Sequence, residues 1–307
     1  MSAGTDTARL RAALGTRTGE AGAAVAQRRD PNARPRWLSV VLWAGIVFFT
    51  LFSAFPYLVM ISTTLKSTQE LAGPVHWIPN GIDLTGIVDS LTNPAIWTYF
   101  KNSFIIAIGT TLIVMFAGVP AAYVLARHEF RGRKLYLDLI LITQMFSPVV
   151  LLIPLFRLYK ETGLLGSMEG VILAGSAFTL PFTIWLLVGF FKAIPVEIEE
   201  AARIDGYGRL SILLRIILPL SVPGLVATAM YAFIIGWNEF IFAVTFLPGT
   251  PEAQPISVGV FASIGKWDID WQRLMFMALL GTLPVLAIFA AIQKQLDRGF
   301  ASIVSGQ

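Results

Sequence analysis

The chain has 307 residues and a formal net charge of +4, and it is 55% apolar but only 14% charged. Soluble domains carry about 25% charged residues, so an ordinary globular domain is excluded. There is no cysteine, and the two histidines, His76 and His128, lie far apart in the sequence, which excludes a disulfide framework and a metal-ligand pair of histidines.

The first 36 residues are rich in Ala, Gly, Thr and Arg and have no apolar periodicity, which predicts a disordered basic arm over 1–36. The apolar run that follows is about 25 residues long and lacks a clear cleavage site, whereas a secretory signal has a short apolar region. We therefore expect a first membrane helix that is retained. An organellar transit peptide is the alternative, because the arm is rich in arginine and poor in acidic residues.

Six segments are apolar over roughly the 20 residues that a helix needs to cross a bilayer. They do not alternate polar with apolar residues, and backbone groups in lipid must be bonded within their own segment, so helices are predicted. The expected fold class is an all-α integral membrane domain with six transmembrane helices over residues 37–296. The segments are 37–61, 102–126, 135–156, 170–191, 221–246 and 274–292.

Lysine and arginine are distributed unevenly between the two sides of this arrangement. The side with the N-terminal arm, the loops 127–134 and 192–217 and the C-terminal end carries 17 of the 23, and the other side carries 6. The side richer in positive charge is cytoplasmic. Both termini, including a short tail over 297–307, are therefore predicted in the cytoplasm, and the loops 62–101 and 247–273 are predicted outside.

The loop 192–217 contains a charged stretch with the features of a short helix over 196–205. Acidic residues in its first turns complement the positive end of the helix dipole. Glu199 and Arg203 are four residues apart in the order that favours an ion pair. Gly206 is placed to end the helix in a left-handed cap. We expect a short, well-capped helix on the cytoplasmic side.

Two interpretations of this helix compete: a docking site for a soluble partner and an amphipathic connector on the membrane surface. A membrane-surface helix usually carries Lys and Arg on its polar face, whereas this one is acidic. The small side chains of Ala201 and Ala202 would let another protein approach closely. The residue types therefore favour docking.

A second helix is expected from near Arg209 into Pro219, just before the fifth apolar segment. Each proline removes a helix hydrogen bond and tends to kink the helix. Leu218, Pro219 and Pro223 are predicted to form a bend through which motion of the loop reaches the fifth helix.

Asn238 and Glu239 are polar residues inside the fifth apolar segment. Ionisable residues in membrane segments are candidates for function. At 1.5 Å per residue, Glu239 would lie roughly 27 Å along a helix that begins at Ser221, near its outer end. The pair either lines the outer mouth of a pathway or meets a partner helix, or else Glu239 is a solvated carboxylate at the interface.

These motifs resemble a known family. Glu200-Ala201-Ala202 with Gly206, followed by Ile216 and Leu218-Pro219, is similar to the cytoplasmic EAA loop of inner-membrane subunits of binding-protein-dependent ABC importers. Other fragments, over roughly 40–300, resemble the carbohydrate-uptake branch, in particular the shorter six-helix subunit of the maltose-type permease pair. They are Thr64-Leu65-Lys66-Ser67, the run 121–127, Trp237-Asn238-Glu239-Phe240, and Pro284-Val285-Leu286 with Gln293.

The resemblance implies a type I importer permease in a bacterial or archaeal inner membrane. In such importers the loop helix seats on a cytoplasmic ATPase, whose closure switches the permease pair between inward-facing and outward-facing states. The implied partners are a second homologous permease subunit, two ATPase subunits, membrane lipid and an extracytoplasmic binding protein that delivers a sugar or oligosaccharide; no nucleic acid is expected. Glu200 is the implied charged anchor of an ATPase-docking loop formed by Glu199, Glu200, Ala201, Ala202, Arg203, Asp205 and Gly206.

The resemblance also bears on the outer loop and the tail. Trp267, Asp268 and Asp270 fall in the segment that meets the binding protein in this family, although an aromatic belt at the membrane interface suits Trp271 equally well. The tail begins with Arg298-Gly299, as in the family, but its last residues depart from the pattern. Contact of the tail with the ATPase is therefore left open.

The sequence lacks the GxxxxGK[ST] motif that cradles nucleotide phosphates. Gly259 and Gly265-Lys266 come nearest, but five residues separate the glycines, and Trp267 replaces Ser or Thr. No nucleophile, base and orienting acid are discernible as a triad. The chain is therefore predicted to be a transport subunit, not an enzyme, that binds no cofactor or metal, with ATP and Mg bound by the partner ATPase.

Two other classes of membrane protein compete with an importer subunit. An ion-coupled secondary transporter of a small polar solute needs charged relays near the membrane midplane. Here the central thirds of all six segments lack Asp, Glu, Lys, Arg and His. An integral-membrane enzyme would need clustered His or Asp on one face. The importer subunit is favoured, and the secondary transporter is the main alternative.

Overall fold

The computed structural model describes residues 36–265 and 269–304, with side chains described over 37–265 and 269–291. These residues are predominantly helical, with one isolated antiparallel bridge between Ile264 and Ile269. The predicted all-α class is confirmed. The predicted arm lies outside the described residues except for its last residue, and the predicted tail is described only as helical backbone up to Val304.

Fourteen α-helices follow one another in the described ranges, with short 3-10 turns at Pro148–Leu151 and Pro251–Ala253 and a π-helical turn at Leu213–Ile217. The helices are α1 Arg36–Thr64, α2 Thr68–Leu71, α3 Thr85–Thr92, α4 Pro94–Arg127, α5 Arg133–Thr143, α6 Leu152–Thr162, α7 Met168–Lys192, α8 Val196–Ile204, α9 Arg209–Ile212, α10 Leu218–Leu220, α11 Val222–Trp237, α12 Ile241–Phe246, α13 Ile256–Ala262 and α14 Trp271–Val304.

Local sequence signals explain where several of these helices begin and end. The Asn93 side chain accepts a hydrogen bond from the Ala95 amide, and proline occupies the first position of α4, where its missing N–H costs nothing. Ser167 caps α7 in the same way, through the amide of Gly170. Gly163 ends α6 with φ +75°, in the left-handed conformation that glycine adopts without strain.

Four helices in the described ranges are long and apolar enough to cross a membrane, namely Trp37–Thr64, Pro94–Arg127, Met168–Lys192 and Trp271–Ala291. Two bent pairs qualify as further spans if each pair is taken as one. Arg133–Thr143 with Pro148–Thr162 bends by 90°, and Arg209–Leu220 with Val222–Trp237 bends by 83°. The six predicted segments thus correspond to four continuous helices and two broken ones.

The third and fifth predicted segments, 135–156 and 221–246, are not the continuous helices that the sequence predicted. In the third, Ser147 starts a new turn by accepting from the Val149 amide, and the following Pro148 has no N–H with which to continue α5. In the fifth, α11 ends at Trp237 and a separate short helix, α12, follows. The chain is apolar again beyond each break, over 148–156 and 241–246, so each run was predicted as one segment.

The chain divides into two compact units between Pro56 and Tyr57, within α1. In the first unit, the described apolar side chains of α1 are mostly exposed, including Trp43, Phe48 and Phe52. A long helix with large apolar side chains on its surface needs an apolar environment to cover it, such as lipid.

The centre of the second unit is formed by α4, α7 and α11, which pack against one another. Glycines allow the close approach of these helices. A Cβ added to Gly236 would lie 2.9 Å from the Cα of Ala107, a backbone atom that cannot move aside, so α11 and α4 require glycine there. A Cβ on Gly224 would lie 2.4 Å from the ring of Phe190, which sets the approach of α11 to α7.

One apolar cluster of this unit lies where α8 meets the rest of the unit. It is built from the last turns of α4 and α7, from α5, and from the helical stretch 209–217. Its fully buried side chains include Leu187, Phe191, Ile212 and Ile217. The loop that holds α8 is therefore anchored on a packed surface.

Candidate functional site

The charged stretch of the loop forms α8, Val196–Ile204, within one residue of the predicted helix. Its end is a Schellman motif: the amide of Tyr207 donates to the carbonyl of Ala202 (3.0 Å), and the amide of Gly206 donates to that of Arg203 (3.0 Å). Gly206 has φ +85°, so the left-handed cap expected from the sequence is present. The two glycines in the sequence Gly206-Tyr207-Gly208 then lead into α9.

The inward face of α8 is formed by Glu199 and Ala202. Glu199 is fully buried, and Ala202 is 5% exposed. Ala202 belongs to the same apolar cluster as Tyr123 and Phe191. Both residues of α8 were predicted to face an ATPase, but the structure places them against this unit's own core, so neither side chain is open to a partner.

Glu199 forms a buried ion pair with Arg127, the last residue of α4. The Nε of Arg127 donates to Oε1 of Glu199 (2.5 Å), and the hydroxyl of Tyr123 donates to Oε2 (3.0 Å). Arg127 Nη2 also donates to the carbonyl of Ile194, in the segment between α7 and α8 (2.9 Å). Both carboxylate oxygens and two guanidinium nitrogens are thus bonded, as buried charges require.

The ion pair predicted within α8 is the weaker of the two that Glu199 makes. Arg203 Nη2 lies 3.8 Å from Glu199 Oε2, and its side chain is 50% exposed. An exposed contact at that distance contributes little. Arg127, whose side chain is 5% exposed, is therefore the principal counter-charge of Glu199.

The open face of the loop consists of exposed residues around the outer side of α8 and the turn that follows. It contains large apolar side chains as well as charges: Ile204 is 87% exposed and Leu210 is 68% exposed. Its residues are Glu200, Ala201, Arg203, Ile204, Asp205, Gly206, Tyr207 and Leu210. This face therefore offers a contact surface that is partly apolar and that carries acidic groups at Glu200 and Asp205. Docking through it stays a prediction.

The connection from the loop to α11 contains the 83° bend, at Ser221 between Pro219 and Pro223. The π-helical turn precedes it: the Leu218 amide bonds to the carbonyl of Leu213, five residues back. Pro219 has no amide with which to continue the helix ladder. The bend thus lies where Leu218, Pro219 and Pro223 were predicted to make one, and its role in transmitting motion stays a prediction.

Asn238 and Glu239 do not lie within one helix, and they face different surroundings. Because α11 ends at Trp237, the expected position of Glu239 about 27 Å along that helix is wrong. Asn238 is exposed and lines a groove of about 340 Å³ with Ser257 and Thr282.

Glu239 instead caps the start of α12. Its Oε1 accepts from the amide of Phe242 (2.8 Å), and its backbone carbonyl accepts from the Ser257 hydroxyl (2.5 Å). The other carboxylate oxygen, Oε2, lies near Gly175 of α7, 3.8 Å from the position of an added Cβ. Glu239 thus has a structural role, whether or not it also lines a pathway.

Asp270 is the described member of the three residues predicted to meet a binding protein; Trp267 and Asp268 lie outside the described residues. Asp270 is exposed and caps α14, since its Oδ1 accepts from the Arg273 amide (3.0 Å). Together with Asp89 and Trp271 it lines a cavity of about 530 Å³. In the described part of the chain no group of three or more His, Asp or Glu side chains could hold a metal ion.

Sequence reasoning gave no role to Arg127 or Tyr123. Both lie in the run 121–127, which is part of the resemblance to the family. Arg127 was otherwise used only as one of the positive charges that assign its loop to the cytoplasm. Arg127 and Glu199 are 72 residues apart. No local spacing rule relates such residues; the only signal was an arginine at the end of an apolar helix.

Comparison with known proteins gives consistent matches over most of the chain. The sequence profile of the family described as "binding-protein-dependent transport system inner membrane component" matches residues 118–302. The inner membrane ABC transporter permease protein YcjP of Escherichia coli (strain K12) is 32% identical over 265 residues, covering 85% of this chain and 94% of that protein. The trehalose/maltose transport system permease protein MalG of Thermococcus litoralis is 30% identical over 266 residues, covering 86% and 95%.

A solved structure has a similar fold. It is the crystal structure of a bacterial ABC transporter involved in the import of the acidic polysaccharide alginate. One of its chains superposes with a TM-score of 0.73 at 23% sequence identity, covering 84% of this chain and 96% of that chain. At that identity the likeness concerns the arrangement of the helices.

Proposed function

The chain belongs to the family of binding-protein-dependent transport system inner membrane components, and we propose that it is a membrane-spanning subunit of an ATP-driven importer for a sugar or oligosaccharide. It is a multi-pass membrane protein with the all-helical permease fold, and its relatives are permease subunits rather than enzymes. The carbohydrate class is supported by the relative from Thermococcus litoralis, which is named for trehalose and maltose.

In this proposal a separate ATPase binds and hydrolyses ATP with Mg and seats on the open face of the loop. The observation that carries it is the exposure of Ile204 and Leu210 on a loop whose inward face is fixed by Glu199 and Ala202. The fully buried core of a protein interface is more apolar than the rest of the protein surface, so large exposed apolar side chains in an otherwise charged loop favour docking. Among the predicted docking residues, Glu200, Ala201, Arg203, Asp205 and Gly206 are those in a position to touch a partner.

The same exposed residues define the surface of the partner. An apolar cleft would receive Ile204 and Leu210, and a basic group beside it would face Glu200, which remains the charged anchor of the contact. Ala201 would allow close approach of the cleft wall, because a methyl group leaves the helix backbone accessible. Glu199 and Ala202 would not touch the partner; from the buried face of α8 they would hold the helix in place.

The remaining partners follow from the family. The loop and both termini would face the cytoplasm, and a second homologous permease subunit would complete the solute pathway. A substrate-binding protein would dock on the opposite side, near Asp270 and the adjoining Trp267 and Asp268. Asn238, which lines a groove beside α13 and α14, is the better pathway candidate of its pair, since Glu239 caps a helix.

Closure of the ATPase would move α8 and, through the bend at Ser221, tilt α11. A π-helical turn and two prolines stand at that bend, so fewer regular helix hydrogen bonds resist a change of angle there. A rigid-body motion of this kind is a common means of switching between two states. The ligand-dependent step is ATP binding in the partner, which would favour one of the two states.

Purification of the tagged chain from its native membrane tests this proposal. We expect an ATPase and a second permease subunit to copurify. In vesicles made from the complex, uptake should require hydrolysable ATP on the loop side and the binding protein on the other, and should be insensitive to ionophores. A non-hydrolysable ATP analogue is the matched control. Solute uptake by this chain alone, driven by a proton or sodium gradient, would instead establish the secondary transporter.

A further inference from the structure

The ion pair between Arg127 and Glu199 connects the loop to a helix that is not its neighbour in sequence. The chain joins α8 to α7 through Ala193–Pro195 and to α9 through Asp205–Gly208. Arg127, by contrast, ends α4, which packs against both α7 and α11. The pair therefore links the loop directly to α4, one of the three helices at the centre of the second unit.

The covalent link between α8 and α9 is short and rich in glycine. Two of its four residues are glycines, and a Cβ added to Gly206 or Gly208 would meet no atom within 4 Å. Two backbone hydrogen bonds, from the amides of Gly206 and Tyr207, close this turn. A push on α8 strong enough to break them could be absorbed by backbone rotation at the glycines. Contacts that hold α8 from the side are then needed if it is to move with the helices.

The contacts on the inward face of α8 hold it against the other helices of its unit. Ala202 contributes one methyl group to the apolar cluster, whereas Glu199 makes directional bonds to Arg127 and Tyr123, both on α4. Arg127 also holds the Ile194 carbonyl, which fixes the residues just before α8. Charge-assisted hydrogen bonds of this kind set geometry more strictly than apolar packing does.

We propose that the Arg127–Glu199 pair, with Tyr123, is the connection that makes α8 and the end of α4 move as one body when a partner displaces the loop. Arg127, Glu199 and Tyr123 are positioning residues in this role. The inference rests on the proposed function, and it adds a second route for motion, into α4, beside the bend that leads into α11. A purely structural role, the neutralisation of buried charge, is the competing explanation.

The test uses the whole importer complex and a double variant, Arg127→Met with Glu199→Gln. Removing both charges leaves no unpaired ion, and the Tyr123 hydroxyl can still bond to the new amide. We expect the complex to assemble and hydrolyse ATP, while the amount of solute moved per ATP falls by about 5- to 150-fold, the usual range for coupling between two sites. A purely structural pair would leave that ratio unchanged once the complex had assembled.

A distance measurement makes the test independent of transport. The chain has no native cysteine, so Val124→Cys on α4 and Glu197→Cys on α8 can carry one spin label each, both at exposed positions, in a complex whose other subunits lack reactive cysteine. In the otherwise native protein we expect the label distance to stay the same with and without ATP. In the double variant it should shift or broaden on ATP binding.

Tyr123→Phe provides a gentler variant, because it removes only the hydroxyl that bonds to Glu199 Oε2. We expect normal assembly and a loss of coupling of about 2- to 10-fold, as for one hydrogen bond. Tyr159→Phe is the matched control, a tyrosine equally buried in a different cluster, and it should leave coupling unchanged.

Coupling equal to wild type and an unchanged label distance in the assembled double variant would overturn the inference. If the double variant does not assemble, normal coupling in Tyr123→Phe would overturn it. Failure of the proposed function has a different signature, because the wild-type complex itself would then show no ATP-driven uptake.

Discussion

Ala201→Trp is expected to reduce coupled uptake strongly while leaving membrane insertion intact. Ala201 is exposed on α8, between Glu200 and the buried Ala202, so a larger side chain meets no atom of its own unit's core. In the proposed interface the indole would hold the ATPase cleft away from the helix. Overpacking of a close contact costs about 1–3 kcal/mol, which corresponds to roughly 5- to 150-fold weaker docking.

The measurement for Ala201→Trp is the amount of ATPase that copurifies, together with ATP-dependent uptake by the same preparation. The matched control is Ala44→Trp, the same substitution at an exposed alanine of α1. Normal ATPase recovery and normal uptake in Ala201→Trp would count against docking through α8. Gly206→Pro should act in the same direction, because proline cannot adopt the positive φ of the helix cap.

Arg127→Met is expected to cause a large loss of folded protein. It leaves the carboxylate of Glu199, which has 1% side-chain exposure, without its principal counter-charge. Removing one partner of a buried ion pair typically costs about 3–5 kcal/mol, a large share of the free energy of unfolding of many proteins. The variant should yield less monodisperse protein in detergent and a lower Tm.

Arg203→Met is the matched control for Arg127→Met. It is the same substitution at an arginine that faces the same carboxylate, but its side chain is 50% exposed and lies 3.8 Å away. An exposed ion pair is worth about 0–1 kcal/mol, so its Tm should change little. The Arg127→Met, Glu199→Gln double variant should recover most of the lost stability. Equal destabilisation by the two arginine variants would contradict the assignment of Arg127 as principal partner.

The sequence predicted the number and approximate position of the apolar segments because hydropathy reports burial in lipid directly. The bend at Leu218, Pro219 and Pro223 was predicted, but its angle of 83° was not. The 90° break near Ser147 was not predicted, because the chain is apolar on both sides of it. Pro148, Pro219 and Pro223 were recognisable as breakers. However, prolines also occur inside the continuous helices α4 and α7, so a proline alone does not decide where a helix bends.

At the candidate site, local rules predicted α8 well. Acidic residues in the first turn and a glycine after the last turn act through the helix's own backbone, and both signals lie within the 196–206 stretch. The direction in which each side chain faces depends on residues far away in the sequence. Glu199 was paired with Arg203 by spacing, whereas Arg127 binds it more closely because the fold brings the end of α4 beside α8.

Cross-linking from the open face of the loop tests the central claim most directly. Because the chain has no cysteine, Ile204→Cys, at a position 87% exposed, can carry a photoreactive group in the native membrane. The account predicts a cross-link to an ATPase subunit whose yield changes when ATP is added. Labelling of lipid headgroups alone, with no nucleotide-binding protein attached in either condition, would contradict it.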